Sequence, residues 1–364
     1  MIKIGFLALA QAHQYFHWLP AALELARRPG VWVDVICPSR AGIRFIRQFD
    51  LDRLLNMVWT PASLRDGLFD VPRGRVIRAY RYVFRRYPVL VTTETTSTRI
   101  KDDSRFHGAL VRIRHGAGDA ATRTDDDRIR LFDLTLANGE KDKRRLIEAG
   151  QGTDENIVVA GYAKFELLKP PVKLFDNDRP IALYNPHSRP GLSSWFTFGE
   201  ALVRQMELLP EWNFVVAPHV KLKGPPNPRT SAPNVLIDRG SIRSIDMTYT
   251  RAASVYIGDA SSQLYEFLSE PRPCIFVDAH GVNWRDDPKF AHFRLGQVID
   301  RPEALGEALA RAFELQPQFE PLQRAALADS IDSSPVPASV RQADAILKFA
   351  ENALEPIRQA DRPD

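Results

Sequence analysis

The feature that most constrains this chain is an alternation, repeated twice, of short apolar runs with stretches of helical periodicity. Runs too short for a helix and rich in Val, Ile and Leu read as strands buried on both faces, and their interleaving with helices is the βαβ order of a parallel sheet. In the first half the strands are expected at Ile2–Leu9, Val31–Cys37, Val89–Thr92, Leu110–Ile113, Leu134–Ala137 and Ile157–Val159. Helices are expected near Trp18–Arg28 and at Lys141–Ala149, the latter stopped by Gly150. After Gly161 a polar stretch carrying Pro170, Pro171 and Pro180 can continue neither a helix nor a central strand. The alternation then restarts, with strands at Ile181–Tyr184, Asn213–Ala217, Val235–Ile237, Val255–Ile257 and Cys274–Val277. Helices are expected there at Thr197–Leu208, Ser262–Leu268 and Pro302–Phe313, and a last one at Val340–Ala353. The expectation is an α/β protein of two Rossmann-like parallel-sheet domains, 1–168 and 169–339. Residues 340–364 form a terminal helix expected, by analogy, to cross back to the first domain.

Bulk properties narrow the class. A chain of 364 residues suits two domains, and no apolar run reaches the roughly 20 residues that span a bilayer. The opening MIKIGFLALA imitates a secretory signal but is too short for one, so a buried first strand explains it better. The two cysteines, Cys37 and Cys274, allow neither a disulfide framework nor a paired-cysteine zinc site, which fits a reducing cytoplasm. A net charge of +4 does not by itself imply nucleic acid. One segment departs from this even mixture of charge. In Val76–Pro88, Arg78, Arg81 and Arg85 recur at helical spacing opposite Val76, Tyr80, Val83 and Tyr87. An ordinary amphipathic helix explains the pattern, and peripheral contact with the inner face of a membrane is the secondary expectation.

Candidate chemistry gathers at strand ends. Gly258-Asp259-Ala260-Ser261-Ser262 follows a strand and opens a helix, so its amides and hydroxyls could hold a diphosphate; equally, Asp259 or Ser261 could simply cap the helix. His115 ends another strand, where an imidazole could take the proton of an acceptor hydroxyl, against the alternative of a buried structural histidine. His219 and His187 also follow strands and could donate to phosphate oxygens, with Arg189 able to fork onto them. Glu266 could reach a ribose hydroxyl, although a solvent-facing carboxylate is its commoner fate. His13 and His17 lie in the loop expected after the first strand, with His13 and Gly116 assigned to the acceptor side. Asp125, Asp126 and Asp127 invite a metal, but Arg123, Arg128 and Arg130 around them favour an ion-paired loop. No metal and no cofactor are expected.

These landmarks resemble the CDP-glycerol glycerophosphotransferases and related teichoic-acid-type polymerases. The Asp259-Ala260-Ser261-Ser262 turn is similar to that family's Asp-x-Ser-Ser, and His115-Gly116 to its His-Gly turn. Gly161-Tyr162-Ala163-Lys164 is similar to its Gly-Tyr-Pro-Arg, Tyr184-Asn185-Pro186 to its Tyr-x-Pro strand end, and Pro218-His219 to its Lys-x-His-Pro region. The matches run in order over roughly residues 89–300. Departures are His115-Gly116-Ala117-Gly118 in place of His-Gly-Thr-Pro, Asp119-Ala120-Ala121 in place of basic residues, and Val220 in place of a proline. The resemblance implies a GT-B enzyme whose acceptor-side domain, 1–168, and nucleotide-donor domain, 169–339, face a central cleft, with His115 as general base. It would move a glycosyl or glycerol/ribitol-phosphate-type group from a CDP- or UDP-linked donor to a hydroxyl acceptor, such as a lipid-linked glycan, in envelope or capsule polysaccharide synthesis. Two alternatives stay open. The UDP-N-acetylglucosamine 2-epimerases also place a histidine turn before an Asp-Ser-Gly-Gly turn, and a catalytically silent GT-B protein could bind a nucleotide sugar.

Overall fold

The computed structural model describes residues 1–61, 72–119, 126–222 and 224–360. The chain divides into two compact units. The first comprises Met1–His115, Arg123–Leu167 and Ile331–Asp364, and the second Gly116–Thr122 and Leu168–Ser330.

In the first unit seven strands form one sheet: β1 (Ile2–Leu7), β2 (Val31–Cys37), β3 (Asn56–Trp59), β4 (Val89–Thr92), β5 (Ala109–Ile113), β6 (Leu134–Ala137) and β7 (Ile157–Val159). Their order across the sheet is β3-β2-β1-β4-β5-β6-β7, and every pairing is parallel. The strands are apolar on both sides because helices cover both faces; Leu7, Ile36, Leu90 and Leu110 pack with Val76, Phe84 and Ile100 on one of them. At about 1.5–3 kcal/mol for each fully buried side chain of this size, such layers hold the sheet against the entropy of ordering it.

Among the described residues four α-helices precede β4: α1 (Tyr15–Ala26), α2 (Arg40–Arg47), α3 (Arg73–Ala79) and α4 (Arg81–Phe84). The single helix expected over Val76–Pro88 is therefore two short ones, broken at Tyr80, whose φ of −112° and ψ of 24° leave the helical region. Arg85 is not part of a solvated stripe either, because it pairs with Asp103 at 2.6 Å. Helix α5 (Glu140–Glu148) ends at Gly150, whose φ of +66° is the left-handed conformation a helix stop of this kind requires. The segment Ile331–Asp364 groups with this unit. Its long terminal helix, Ala338–Ala360, lies on α1, joined by Arg28 to Asp344 at 2.7 Å, and Gln342 donates to the Gly161 carbonyl at 3.0 Å.

The second unit repeats the plan with six parallel strands: β8 (Ile181–Asn185), β9 (Asn213–Val216), β10 (Val235–Ile237), β11 (Val255–Gly258), β12 (Cys274–Val277) and β13 (Gln297–Ile299), ordered β10-β9-β8-β11-β12-β13. Alternate residues feed two cores. Tyr184, Phe214, Val216, Ile257 and Ile275 face α6 (Trp195–Glu207), while Leu183, Val215, Tyr256 and Phe276 face the other way onto Leu264, Phe267 and Phe293. The short helices α7 (Thr248–Ala252) and α8 (Gln263–Phe267) flank β11, and α9 (Leu305–Ala310) and α10 (Ala312–Ser330) follow β13. Strands β3 and β13 and helices α2, α7 and α10 add to the elements expected from sequence. Among the described residues no helix is long and apolar enough to cross a membrane.

Candidate functional site

Each sheet reverses its strand order once, between β1 and β4 in the first unit and between β8 and β11 in the second. Loops leaving the carboxyl ends of such a strand pair diverge to opposite faces and open a crevice, the usual ligand position in an open α/β sheet.

In the second unit the crevice is held by Asp259. Its carboxylate accepts the backbone N–H of His187 at 2.7 Å and of Ser194 at 2.6 Å, and the Ser194 hydroxyl at 2.8 Å. Both donors leave β8, so Asp259 ties the loop after β8 to the turn after β11. Burial pushes its carboxyl up to about 7, and the hydrogen bonds from Ser194 and His187 oppose the shift. Beside it the Ser261 hydroxyl donates to Asn185 Oδ1 at 2.6 Å, while the Asn185 amide donates to the Ala217 carbonyl at 2.7 Å, which links the ends of β8, β9 and β11. Asp259 and Ser261 thus set the shape of the turn. Gly258, at the end of β11, has no room for a side chain, since a Cβ there would lie 2.7 Å from the Tyr256 ring. Helix α8 spans five residues only, shorter than expected, so its dipole is correspondingly small.

The histidines supply a more specific signal. The Arg189 N–H donates to His187 Nδ1 at 3.1 Å, and the Lys221 N–H donates to His219 Nδ1 at 3.1 Å. An Nδ1 that accepts leaves the proton of the neutral ring on Nε2, so both rings present an Nε2–H donor. Their centroids are 6.1 Å apart. Burial, followed by the charges of Arg189 and Lys221, lowers His187 to about 4, which keeps it neutral at physiological pH. Arg189 is exposed.

The segment that begins at Gly116 packs on the β11 turn. Gly116 has a φ of +77°, and a Cβ there would sit 3.1 Å from Ser262 Oγ. At Gly118 a Cβ would lie 2.8 Å from Ser262 Cα, a backbone atom that cannot step aside. The Tyr265 hydroxyl donates to Asp119 Oδ2 at 2.8 Å, and His292 Nδ1 stands 3.5 Å from the same oxygen. Asp119 therefore docks this segment onto α8 and the stretch before β13. Glu266, the ribose candidate, is buried rather than solvent-facing.

In the first unit His115 Nδ1 lies 2.8 Å from the Thr93 carbonyl. A carbonyl only accepts, so Nδ1 carries the proton and Nε2 keeps the lone pair that a base needs. Thr93 is fixed in turn, its hydroxyl donating to Gln14 Oε1 at 2.8 Å, so the loops after β1 and β4 hold the ring together. His13 and His17 pack around it, with centroids 6.5 and 6.1 Å away. His17 is not in a loop but inside α1, buried against Tyr162 at 5.0 Å. Its burial, then Lys164 and His115, hold it well below the ordinary histidine value, so it is neutral.

Asp126 accepts from Arg128 at 2.8 Å and from the Thr95 hydroxyl at 2.8 Å, and Asp127 pairs with Arg130. Asp125 and Arg123 lie outside the described residues. Among the described residues no group of three acidic, histidine or cysteine side chains could hold a metal ion. Sequence reasoning missed Ser194, Asp119, Tyr265 and His292; each is an ordinary residue whose partner is distant in sequence.

No protein-family model matches the sequence, and no curated protein matches it either. Solved structures do match in fold. The chain is similar to the wall teichoic acid polymerase TagF soaked with CDPG, with a TM-score of 0.65 and 13% identity over 97% of this chain and 90% of that one. It is similar to UDP-GlcNAc 2-epimerase from Neisseria meningitidis bound to UDP-GlcNAc, with a TM-score of 0.64 and 11% identity over 98% of this chain and 100% of that one. It is also similar to S. aureus MnaA in its UDP co-structure, with a TM-score of 0.65 and 11% identity over 100% and 99%. The polymerase and the epimerase share one plan, and the plan of this chain is the same: two Rossmann-like parallel-sheet domains in the GT-B fold.

Proposed function

We propose that the protein is a group transferase that takes a glycosyl or polyol-phosphate group from a CDP- or UDP-linked donor and passes it to a hydroxyl acceptor, in envelope or capsule polysaccharide synthesis at the inner face of the membrane. The observation that carries this reading is the pair of imidazoles at the β8/β11 crevice, each with Nδ1 capped by a backbone N–H two residues on, so that each offers Nε2–H. Neutral donors of this kind suit the oxygens of a diphosphate, whose charge grows as the nucleotide departs. In this reading His187 and His219 bind the donor phosphates with Ser262 and the backbone of Gly258–Ser262. Asp259 and Ser261 hold the turn, Arg189 reaches the outer phosphate, and Glu266 takes the ribose.

The first unit supplies the base. His115 Nε2 accepts the acceptor's hydroxyl proton as its oxygen forms the new bond, and the bond from the transferred group to the nucleotide phosphate breaks. The electron pair of that bond leaves with the nucleotide. His13 belongs to the acceptor side, whereas Gly116, expected there too, packs on the Ser262 turn of the second unit. A thermal-shift screen of the purified chain against CDP, UDP, GDP and their conjugates tests the donor class, since a specific ligand raises apparent stability by mass action. His115→Ala should lower turnover at saturating donor by about 10²–10⁴-fold. Unchanged turnover would remove His115 from the base role, and no shift with any nucleotide would overturn the nucleotide-donor reading.

A second reading, epimerisation of a nucleotide sugar, draws support from the end-to-end likeness to the N. meningitidis epimerase. It predicts conversion of a UDP-sugar in the absence of any acceptor, whereas the transferase reading requires one.

A further inference from the structure

The first unit carries a groove that neither the base nor the donor site uses. It runs along α3 and α4 and the helical turn Thr96–Asp102 that follows β4, in two adjoining parts of about 450 and 360 Å³ that share Gly74, Arg78 and Arg99. Its apolar side is Ile77, Phe84 and Ile100, all buried, which fixes the walls. Its polar side is arginine: Arg75, Arg78, Arg81 and Arg99 line it, and among the described residues none of the four has an acidic partner. The neighbouring cations are already matched, Arg85 by Asp103 and Arg73 by Glu94 at 3.7 Å. That leaves Asp102 as the lining carboxylate without a cation of its own, one against four. Gly74 leaves the middle open, and a Cβ there would touch Arg99 Nη1 at 3.6 Å.

Four guanidinium groups brought together in a concavity repel one another unless an anion joins them. Their planar N–H forks match phosphate oxygens two at a time. We propose that this groove is a binding site for a phosphate-bearing anion of about the size of a diphosphate or a phosphodiester headgroup. Arg78 and Arg99, common to both parts, hold it, and Arg75 and Arg81 complete the contact from either side. The site is independent of the transferase reading, because its lining includes none of His115, His187 and His219 and it needs no reaction.

The probes are inorganic pyrophosphate, titrated by calorimetry at low ionic strength, and vesicles of phosphatidylcholine with or without phosphatidylglycerol, followed by flotation. All measurements use the full chain carrying His219→Ala, so that pyrophosphate held at the donor crevice does not mask the result. Adding Arg78→Ala and Arg99→Ala should lower pyrophosphate affinity at least tenfold or abolish binding to the phosphatidylglycerol vesicles. Loss in the first arm identifies a soluble phosphate, and loss in the second alone identifies a lipid headgroup. Arg78→Lys with Arg99→Lys keeps the charge but not the fork, and should fall between the alanine pair and the parent. Equal affinity of parent, lysine and alanine proteins for both probes would overturn the proposal, as would a parent that binds neither. A nucleotide affinity unmoved by His219→Ala alone would count against the donor site and leave the groove comparison intact.

Discussion

Replacing Asp259 by Asn tests how the crevice of the second unit is held. The carboxylate is buried with three donors on it, and its two oxygens are not equivalent: Oδ1 receives His187 N–H, and Oδ2 receives both Ser194 N–H and Ser194 Oγ–H. Asn can reproduce the first contact with its carbonyl, but its amide then faces the Ser194 N–H donor to donor. An unsatisfied buried N–H costs about 1–3 kcal/mol. The sharper signature is pH. Burial raises this carboxyl from 3.8 to about 7, so the folded protein binds its proton more tightly than the unfolded chain does. The resulting contribution to stability is whole below pH 3.8 and is lost as pH rises through 7. Between pH 5 and pH 8 the loss amounts to about 3 kcal/mol. Asn cannot titrate, so Asp259→Asn escapes it. Urea unfolding of both proteins at several pH values gives the difference at each pH, in which the titration of all other groups cancels. The variant should gain on the wild type by about 3 kcal/mol from pH 5 to pH 8. A difference that stays flat over this range would mean that Asp259 is ionised throughout, and that its hydrogen bonds outweigh its burial.

Two further outcomes are expected. Gly118→Ala should destabilise the protein by about 1–3 kcal/mol and weaken nucleotide binding, because the new Cβ meets the Ser262 backbone; Gly191→Ala, with open space around it, is the control, and equal melting temperatures would refute the close approach. His219→Ala should lower nucleotide affinity by about ten- to a hundredfold by calorimetry, the value of one hydrogen bond to a charged group, and an unchanged affinity would remove His219 from the donor site.

The strands were the most legible part of the fold, because parallel strands buried on both faces are near-continuous runs of Val, Ile and Leu; β2, β4, β6, β7, β10 and β12 have the bounds expected of them. What escaped had a weaker or misleading pattern. Strand β3, Asn-Met-Val-Trp, is a half-exposed edge of four residues, too short for any period to stand out. Helix α10 contains Pro317 and Pro321, which read as stops but are tolerated there as interior residues. The reading of the site was similarly divided. Position after a strand was visible for His115, His187, His219 and the 258–262 turn, since an open α/β sheet gathers its ligand residues at such points. Partnership was not. Asp259 meets Ser194 65 positions away and Asp119 meets Tyr265 146 positions away, and no local pattern announces either pair. Asp119 illustrates the point: at a position where the resembling family has basic residues, the acid has a tyrosine hydroxyl and an imidazole waiting for it.

The partition of the chain also bears on its biosynthesis. The first unit draws its residues from both ends, and its last piece, from Ile331 onward, is made after the whole of the second unit. Until then α1 waits without the helix that covers it, including the buried Ala343, Ile346 and Ala350. A nascent chain paused before Ile331 would display that bare flank to chaperones, and a gene cut there for recombinant production would be expected to yield aggregates. A productive dissection would have to splice the C-terminal helix back onto the N-terminal piece, through a linker that replaces the second unit altogether.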